Sequence, residues 1–290
     1  MRVTDGMIAN NVMYNINQSY SRLDKLFEQA QTQKKISRPS DDPVVAMKGM
    51  FYRTNVTEIE QFKRNFTEAR NWVETTDSAI GEASKAMERI RELTVQMSNG
   101  TYEEGQLQSV AEEVAQLKDH IKTIANSKVG DKYIFNGTDT LNPPIVGETI
   151  EFNSDDVEFE LAKGIKVPIN IQGEAIFGSG ETSVFAVLDR LEDALKSGDT
   201  GLNGFLDELD ACSDKMLSGR AELGARTNRL DFMEDRIDNQ EVIAKRIMSD
   251  NEDVEFEKVI MDFKAQEAVH RAAMSIGARI IQPTLMDFLR

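Results

Sequence analysis

The side chains that could do chemistry in this sequence are few and far apart. The two histidines, His120 and His270, lie about 150 residues from each other, and Cys212 is the single cysteine. A zinc site needs three or four clustered ligands, and a catalytic nucleophile needs a base beside it. The sequence therefore predicts no catalytic residue, no cofactor, no metal site and no intramolecular disulfide.

Two further motifs have the composition of a binding site but not its spacing. Gly178-Ser179-Gly180 is glycine-rich like a phosphate loop, yet no Lys-Ser or Lys-Thr pair follows it. Asp155, Asp156, Glu158 and Glu160 lack the spacing of an EF-hand calcium loop. We expect a turn at the first motif and an acidic edge strand at the second.

The charge of the chain is concentrated in its middle. The net charge is −16, and residues 101–210 alone carry 22 acidic and eight basic side chains, a net charge of −14. Residues 1–40 carry +3 and residues 259–290 carry +1. Such an acidic protein is repelled by nucleic acid and by anionic membranes, so neither is an expected partner. The near-neutral ends can pack against one another, whereas the middle should be solvated.

No segment of the sequence has the pattern of a membrane or signal segment. No run approaches the ~18 apolar residues of a transmembrane helix. The N-terminus lacks the apolar region of a cleaved signal peptide. We expect no membrane insertion, and export would need a route without such a peptide.

A long stripe of apolar residues shows the clearest periodicity. Its positions alternate three and four residues apart without a slip, which is typical of a coiled-coil or bundle seam. The same rule continues from Leu107 to Ile124, and Thr101 with Glu104 forms a capping box between the two stretches. Residues 58–126 should therefore form a helical hairpin. The stripe consists of Ile59, Phe62, Phe66, Ala69, Val73, Thr76, Ile80, Ala83, Met87, Ile90, Thr94 and Met97.

The second half of the chain returns to helical spacing after an interruption. Between Gly130 and Gly180 short alternating apolar runs are separated by Gly, Pro and Asn, which predicts four or five short strands. A helix that ends at Gly198 should follow, and then one long helix over 202–250. Its heptad positions are Leu223, Leu230, Met233, Ile237, Gln240, Ala244, Ile247, Asn251, Val254 and Met261.

Both ends of the chain carry amphipathic helical patterns. A helix alone cannot bury its apolar face, so we expect both tails to be disordered in the monomer and to order on assembly. The predicted interface of the N-terminal tail, from about residue 12 to 35, consists of Val12, Ile16, Leu23, Leu26 and Phe27. That of the C-terminal tail consists of Ala268, Ala272, Ile276, Ile280, Leu285, Phe288 and Leu289.

A break separates the N-terminal tail from the body. Pro39 disfavours a helical conformation in the residue before it. Asp42 is a suitable N-cap and Pro43 a suitable first residue for the next helix. The break is therefore a non-helical segment between two helices.

The same break is one of five stretches that resemble the flagellin superfamily, in the order that the family requires. The run Pro39, Ser40, Asp41, Asp42, Pro43 is similar to the branch of hook–filament junction proteins. The β-rich insert resembles that branch only at its entrance. The other stretches are Met7-Ile8 with Asn15–Asn17, Tyr133–Thr138, the helix motif with Gly224, Arg226, Asn228 and Arg229, and Arg279–Arg290.

The resemblance implies a structural protein of the flagellum. Such a subunit is guarded by an export chaperone, leaves the cell unfolded through the flagellar type III export apparatus, and assembles as a ring of identical copies. The ring lies between the first hook-associated protein and the flagellin filament, so the implied location is extracellular.

Pattern and resemblance together predict a mainly α fold. The N- and C-terminal halves should form an elongated long-helix bundle or coiled coil with a small β-rich insert. Residues 1–42 with 255–290 would be a terminal coiled-coil assembly domain, 43–130 with 181–254 a helical core, and 131–180 an outer β domain.

Three alternatives stay open at this point. Flagellin or another filament-type subunit is the nearest one, and Pro39, Pro43 and the ending at Gln282–Arg290 weigh against it. A cytoplasmic coiled-coil scaffold is disfavoured by the β-rich insert. An enzyme comes third, since no constellation of reactive residues supports it.

Overall fold

The computed structural model describes residues 5–98, 104–147, 149–198 and 201–281. Helices dominate these residues, which confirms the predicted mainly α class. None of the described helices is long and apolar enough to cross a membrane. The helices are α1 (Asp5–Thr32), α2 (Pro43–Ser98), α3 (Glu104–Ala125), α4 (Gly173–Phe177), α5 (Val184–Ser197), α6 (Asn203–Glu252) and α7 (Phe256–Ile281).

The contacts between residues divide the chain into two compact units. The terminal unit contains residues 1–58 and 240–290, and the central unit contains residues 59–239. Two helices, α2 and α6, contribute to both units. The three predicted domains have different boundaries from these units, and that finer division stays a prediction.

The long heptad stripe forms the core of the central unit. Eleven of its twelve residues are buried, and Phe62 is half-buried. Arg89 of α2 donates to Glu113 of α3 at 2.9 Å, as the predicted hairpin requires. The capping-box residue Thr101 lies outside the described residues. A helix with this many buried positions must pack against more than one neighbour.

Ion pairs align α2 with α6 in antiparallel directions within the central unit. Arg220 of α6 donates to both carboxylate oxygens of Asp77, at 2.8 and 3.1 Å. Further pairs follow the same register: Arg91 with Asp210, Arg70 with Asp231, and Lys63 with Asp238. Because these side chains are largely exposed, each pair contributes little stability but fixes the register.

The second half of the helical prediction is only partly correct. Ser183 caps α5 by accepting from Ala186 N at 3.1 Å, and the helix ends at Gly198 in the left-handed region, as predicted. The heptad along α6 is buried at Leu223, Leu230, Ile237 and Ala244. The remaining predicted heptad positions are exposed or half-buried. In particular Gln240, Ile247 and Met261 are exposed, so the predicted seam does not continue to Met261.

The β region contains five strands between Gly130 and Gly180, in agreement with the four or five predicted, and a further strand just before Gly130. The six short strands of the described residues pair two by two, so that they form three separate antiparallel hairpins. Glu158 and Glu160 lie on β5 as predicted, whereas Asp155 and Asp156 lie before it, which corrects that part of the edge-strand prediction. The strands are β1 (Lys128–Val129), β2 (Lys132–Tyr133), β3 (Ile145–Val146), β4 (Thr149–Ile150), β5 (Glu158–Ala162) and β6 (Ile165–Pro168).

Side chains, more than strand pairing, hold the β region together. The Phe177 ring lies 5.3 Å from Phe135, 5.9 Å from Phe152 and 5.8 Å from Phe185, centroid to centroid. Buried Asn170 accepts from Val157 N at 2.8 Å and donates to Asp155 O at 3.1 Å. Two-residue strands cannot be stable alone, so these contacts determine the fold of the region.

The Asn136-Gly137-Thr138 stretch is a buried turn. Asn136 is 4% exposed, and its amide bonds Asn142 O and Asn153 N, both at 3.0 Å. Gly137 has φ of 51°, and a Cβ there would lie 2.6 Å from Asn153 O. Although the stretch matches a glycosylation sequon, its asparagine has no free amide to carry a sugar.

Candidate assembly surface

The two terminal helices pack against each other in antiparallel directions. They approach closely at Gly277 of α7, where a Cβ would lie 2.9 Å from Ile16 Cδ1 and 3.1 Å from Val12 Cγ1. Any larger residue at Gly277 would have to push these side chains away. The glycine therefore allows two of the predicted tail residues to contact the other tail.

Polar and aromatic contacts continue along this helix pair. Gln266 Nε2 donates to Ser19 Oγ at 3.0 Å. Further from Gly277, the rings of Phe27 and Phe263 are 6.2 Å apart. His270 lies 6.0 Å from the Tyr20 ring, and its buried Nδ1 has no hydrogen-bond partner among the described residues. His270 is thus half-buried between the two terminal helices.

The structure divides the predicted tail residues into two groups. Four of the five α1 residues are partly covered, whereas Phe27 and the three α7 residues whose side chains are described are exposed, so both helices keep apolar surface free. Val12, Ile16, Leu23 and Leu26 are half-buried, and Phe27, Ala268, Ala272 and Ile276 are exposed. Ile280 lies in α7 but its side chain is not described, and Leu285, Phe288 and Leu289 lie outside the described residues.

Apolar surface is concentrated on the terminal unit. Among the described residues 24 large hydrophobic side chains are exposed, and 18 of them belong to this unit, although it contains little more than a third of the chain. Of the 44 apolar residues that are buried in the same described ranges, it contributes only three: Val56, Ala244 and Val259. A soluble monomer rarely leaves so much apolar surface uncovered unless a partner covers it.

The proline-bounded loop is organised by its two aspartates. Asp41 accepts from Arg38 N at 2.9 Å and from Ser37 N at 3.3 Å, and these bonds, the Arg38 one foremost, hold its pKa below the usual value. Asp42 Oδ1 accepts from Val44 N at 2.9 Å and from Val45 N at 3.1 Å. Asp42 is therefore the N-cap of α2 and Pro43 its first residue, as predicted.

This cap supplies a first prediction. We expect Asp42→Ala to lower the free energy of unfolding of the terminal unit by about 1 kcal/mol, because two amides of the first turn lose their acceptor. Hydrogen exchange at Val44 and Val45 should accelerate accordingly. Asp42→Asn is the control, since asparagine caps equally well, and similar losses in both variants would contradict the assignment.

A cluster around Glu252 was not apparent from the sequence. Glu252 ends α6, its side chain is 6% exposed, and it accepts from Arg53 Nε and Nη2, both at 2.7 Å. Lys34 Nζ lies 3.4 Å from the second carboxylate oxygen. Hydrogen bonding to Arg53, with Lys34, holds the Glu252 pKa below its usual value. Its partners are about 200 residues away in sequence, so no local pattern could reveal them.

The helix motif of α6 belongs to the central unit and not to this surface. Arg226 donates to the backbone carbonyl of Asn170 and, at 2.6 Å, to Glu222. Gly224, Asn228 and Arg229 are exposed. Of the four motif residues, Arg226 alone has an evident structural role, which is to connect α6 to the β region.

The structure brings none of the reactive residues together. His120 is exposed on α3, and burial raises the pKa of the Cys212 thiol, which makes it a poor nucleophile. The described ranges contain no group of three or more His, Cys, Asp or Glu that could hold a metal ion. The surface of the terminal unit is thus the feature that best explains a function.

The known proteins to which this chain is similar are flagellar proteins. Residues 3–140 match the bacterial flagellin N-terminal helical region. Flagellar hook-associated protein 3 of Escherichia coli (strain K12) is 25% identical over 300 residues, which cover 94% of this chain and 95% of that protein. Flagellin of Bacillus subtilis (strain 168) is 24% identical over 302 residues, 97% of each chain. A flagellar hook-associated protein structure from Vibrio parahaemolyticus has a TM-score of 0.69 at 20% identity, covering 73% of this chain and 100% of that one, so the fold is shared.

Proposed function

We propose that the chain is a member of the flagellin superfamily of flagellar proteins and a structural subunit that assembles as a ring at the hook–filament junction. Members of this family are components of the bacterial flagellum. Our proposal adds that copies of this chain associate through their terminal units, and that the ring joins the first hook-associated protein to the flagellin filament.

The distribution of apolar residues is the observation that carries the proposal. The central unit buries nearly the whole core, whereas the terminal unit exposes most of the large apolar side chains. Burial of such surface drives association, because each Å² removed from water contributes roughly 25 cal/mol. A unit of this kind is suited to be covered by copies of itself.

We also propose a separate role for each of the three predicted domains. Residues 1–42 with 255–290 act as the assembly domain and order fully only when copies pack together. Residues 43–130 with 181–254 form the surrounding helical layer, and 131–180 face outward. The chain would reach its extracellular location through the flagellar type III export apparatus with the help of an export chaperone, and it would not act as an enzyme.

Flagellin remains the alternative from the same superfamily. It is supported by the match to the Bacillus subtilis protein, whose identity of 24% is nearly that of hook-associated protein 3. The Pro39–Pro43 loop, whose form resembles the junction branch, favours the junction. A count of copies per flagellum distinguishes these functions. A junction protein should be present in the few copies of a short ring, and a flagellin in the many copies of a long filament.

Deletion of residues 1–35 tests the assembly proposal. We expect the central unit to keep its free energy of unfolding within about 0.5 kcal/mol, because almost all buried apolar residues lie there. The same deletion should abolish swimming and filament attachment in a strain that lacks its own copy of the gene.

The full-length chain in the same strain is the positive control, and secretion into the medium must be measured for both. A deleted protein that is secreted and still restores filaments would refute the role of the N-terminal tail. A deleted protein that is retained in the cell calls for addition of purified protein to isolated hooks, where failure to bind is again the expected result.

A further inference from the structure

The chain segments that carry the two terminal helices are joined at one point. Lys35 N donates to Glu252 O at 2.7 Å, and Val254 N donates to Gln33 O at 3.1 Å. This two-residue antiparallel bridge connects the residues just after α1 to those just before α7. Gln33 has φ of 58°, so α1 ends there in a left-handed turn.

Side chains on both sides reinforce this bridge. Lys34 Nζ donates to Asp253 Oδ1 at 2.6 Å, and Ser249 Oγ donates to Asp253 Oδ2 at 2.5 Å. Asn251 Nδ2 donates to Val45 O at 3.1 Å, which adds the first turn of α2. Three chain segments, the end of α1, the start of α2 and the α6–α7 link, therefore meet in one hydrogen-bonded cluster.

The Glu252 carboxylate is the one group in this cluster that contacts side chains of two other segments and is itself buried. Its two-point bond to Arg53 has the fixed geometry of an arginine–carboxylate fork, and Lys34 Nζ donates to Oε2, one of the two oxygens of that fork. A Cβ at Gly49 would lie 2.7 Å from Glu252 Oε1, so that glycine leaves the room for the carboxylate. A buried carboxylate keeps such a place only while its cations are present.

Small changes at this point have large consequences at the far ends of the helices. A helix of 26 residues such as α7 is about 39 Å long, so a rotation of about 10° at its base displaces its other end by about 7 Å. Such a displacement would separate Gly277 from Val12 and Ile16, which require close contact.

We propose that Glu252 is a positioning residue that fixes the directions of α1 and α7 relative to the start of α2 and the end of α6, so that copies present their terminal helices in one geometry. The inference rests on the proposed function and deepens it. A salt bridge that merely adds stability would not need to be buried at the junction of all three segments, nor would it need Gly49.

The test compares variants of the full-length chain by site-resolved hydrogen exchange. In the native chain the amides of Lys35 and Val254 should exchange slowly, even where the amides of α1 and α7 exchange fast. Glu252→Gln keeps the size of the side chain but removes its charge, and we expect both amides to exchange at least about tenfold faster. Gly49→Ala leaves every charge in place but displaces the carboxylate, and it should have the same effect.

Glu192→Gln is the matched control. Glu192 is also a largely buried glutamate with two cations, Lys118 Nζ at 2.5 Å and Lys196 Nζ at 2.6 Å, but it lies in the central unit. This control should leave the Lys35 and Val254 amides unchanged. Swimming of a strain without its own copy should fall strongly with both cluster variants and stay near normal with the control, at equal secretion.

The possible outcomes separate this inference from the assembly proposal. Fast exchange at Lys35 and Val254 in the native chain, or unchanged exchange in both cluster variants, would overturn the positioning role. Faster exchange with normal swimming would overturn it as well, since the geometry would then not matter. If deletion of residues 1–35 also leaves assembly intact, the proposed function fails instead, whatever the exchange rates show.

Discussion

Replacing Asn170 by alanine is expected to lower the free energy of unfolding by about 1–3 kcal/mol, because a backbone donor and a backbone acceptor lose the buried side chain that bonds them. The Asn170 side chain is fully buried, and it bridges Val157 N and Asp155 O. Alanine would remove both hydrogen bonds and open a small cavity. Denaturant unfolding of the full-length chain measures the loss.

Asn142→Ala provides the matched control for this substitution. Asn142 is an exposed asparagine of the same β region, and within the described ranges its side chain bonds only to Asp139 Oδ1 and Oδ2, both at 3.1 Å. We expect this change to cost less than about 0.5 kcal/mol. Equal losses for the two variants would show that burial of Asn170 does not stabilise the region.

The contrast between Asn170 and the heptad stripe shows which parts of this fold a sequence can predict. A helix seam repeats over many residues, so the burial of Phe66, Ile80 and Met87 follows from spacing alone. The start of α2 was equally predictable, since Asp42 and Pro43 act on their own neighbours in the chain. Local rules are enough where the structure repeats or where a cap is formed within one turn.

The β region and the Glu252 cluster depend on contacts that no local rule contains. Strands of two residues have no periodicity to detect. In the sequence Asn170 is indistinguishable from any loop asparagine, because its contact with Arg226 is formed only in the folded chain. Arg53 and Glu252 are separated by 199 residues in sequence. The sequence predicts which apolar residues the terminal helices carry but not that α1 and α7 pack against each other. By propensity alone Gly277 is a weak helix residue, and only the structure shows that it leaves room for Ile16.

The predicted heptad that runs from α6 to Met261 in α7 is buried only in part, for a related reason. Apolar residues at seam spacing are buried only where another element covers them, and the terminal unit has few such elements. Ile247 and Met261 therefore keep the pattern of a seam while 42% and 65% of their surface remain exposed. This discrepancy supports the assembly proposal, because a pattern that the single chain does not use is expected where copies of the chain supply the missing neighbour.

That reasoning leads to the prediction with the largest expected effect on function, the introduction of one charge on α7. Ile276 is 57% exposed on α7, so Ile276→Glu should change the free energy of unfolding of the single chain by no more than about 0.5 kcal/mol. If copies cover this side chain, an unpaired carboxylate is buried on assembly, at a cost of about 3 kcal/mol or more, which is roughly a hundredfold in the association constant. Filament attachment and swimming should then be lost although the protein is secreted normally.

Leu217→Glu distinguishes this effect from a general effect of surface charge. Leu217 is 66% exposed on α6 in the central unit, so it matches Ile276 in size, exposure and helical setting. We expect this variant to swim nearly as well as the native protein, because the assembly contacts are assigned to the terminal unit. Equal loss of swimming would extend the contact surface to the central unit, and normal swimming of Ile276→Glu would remove α7 from it.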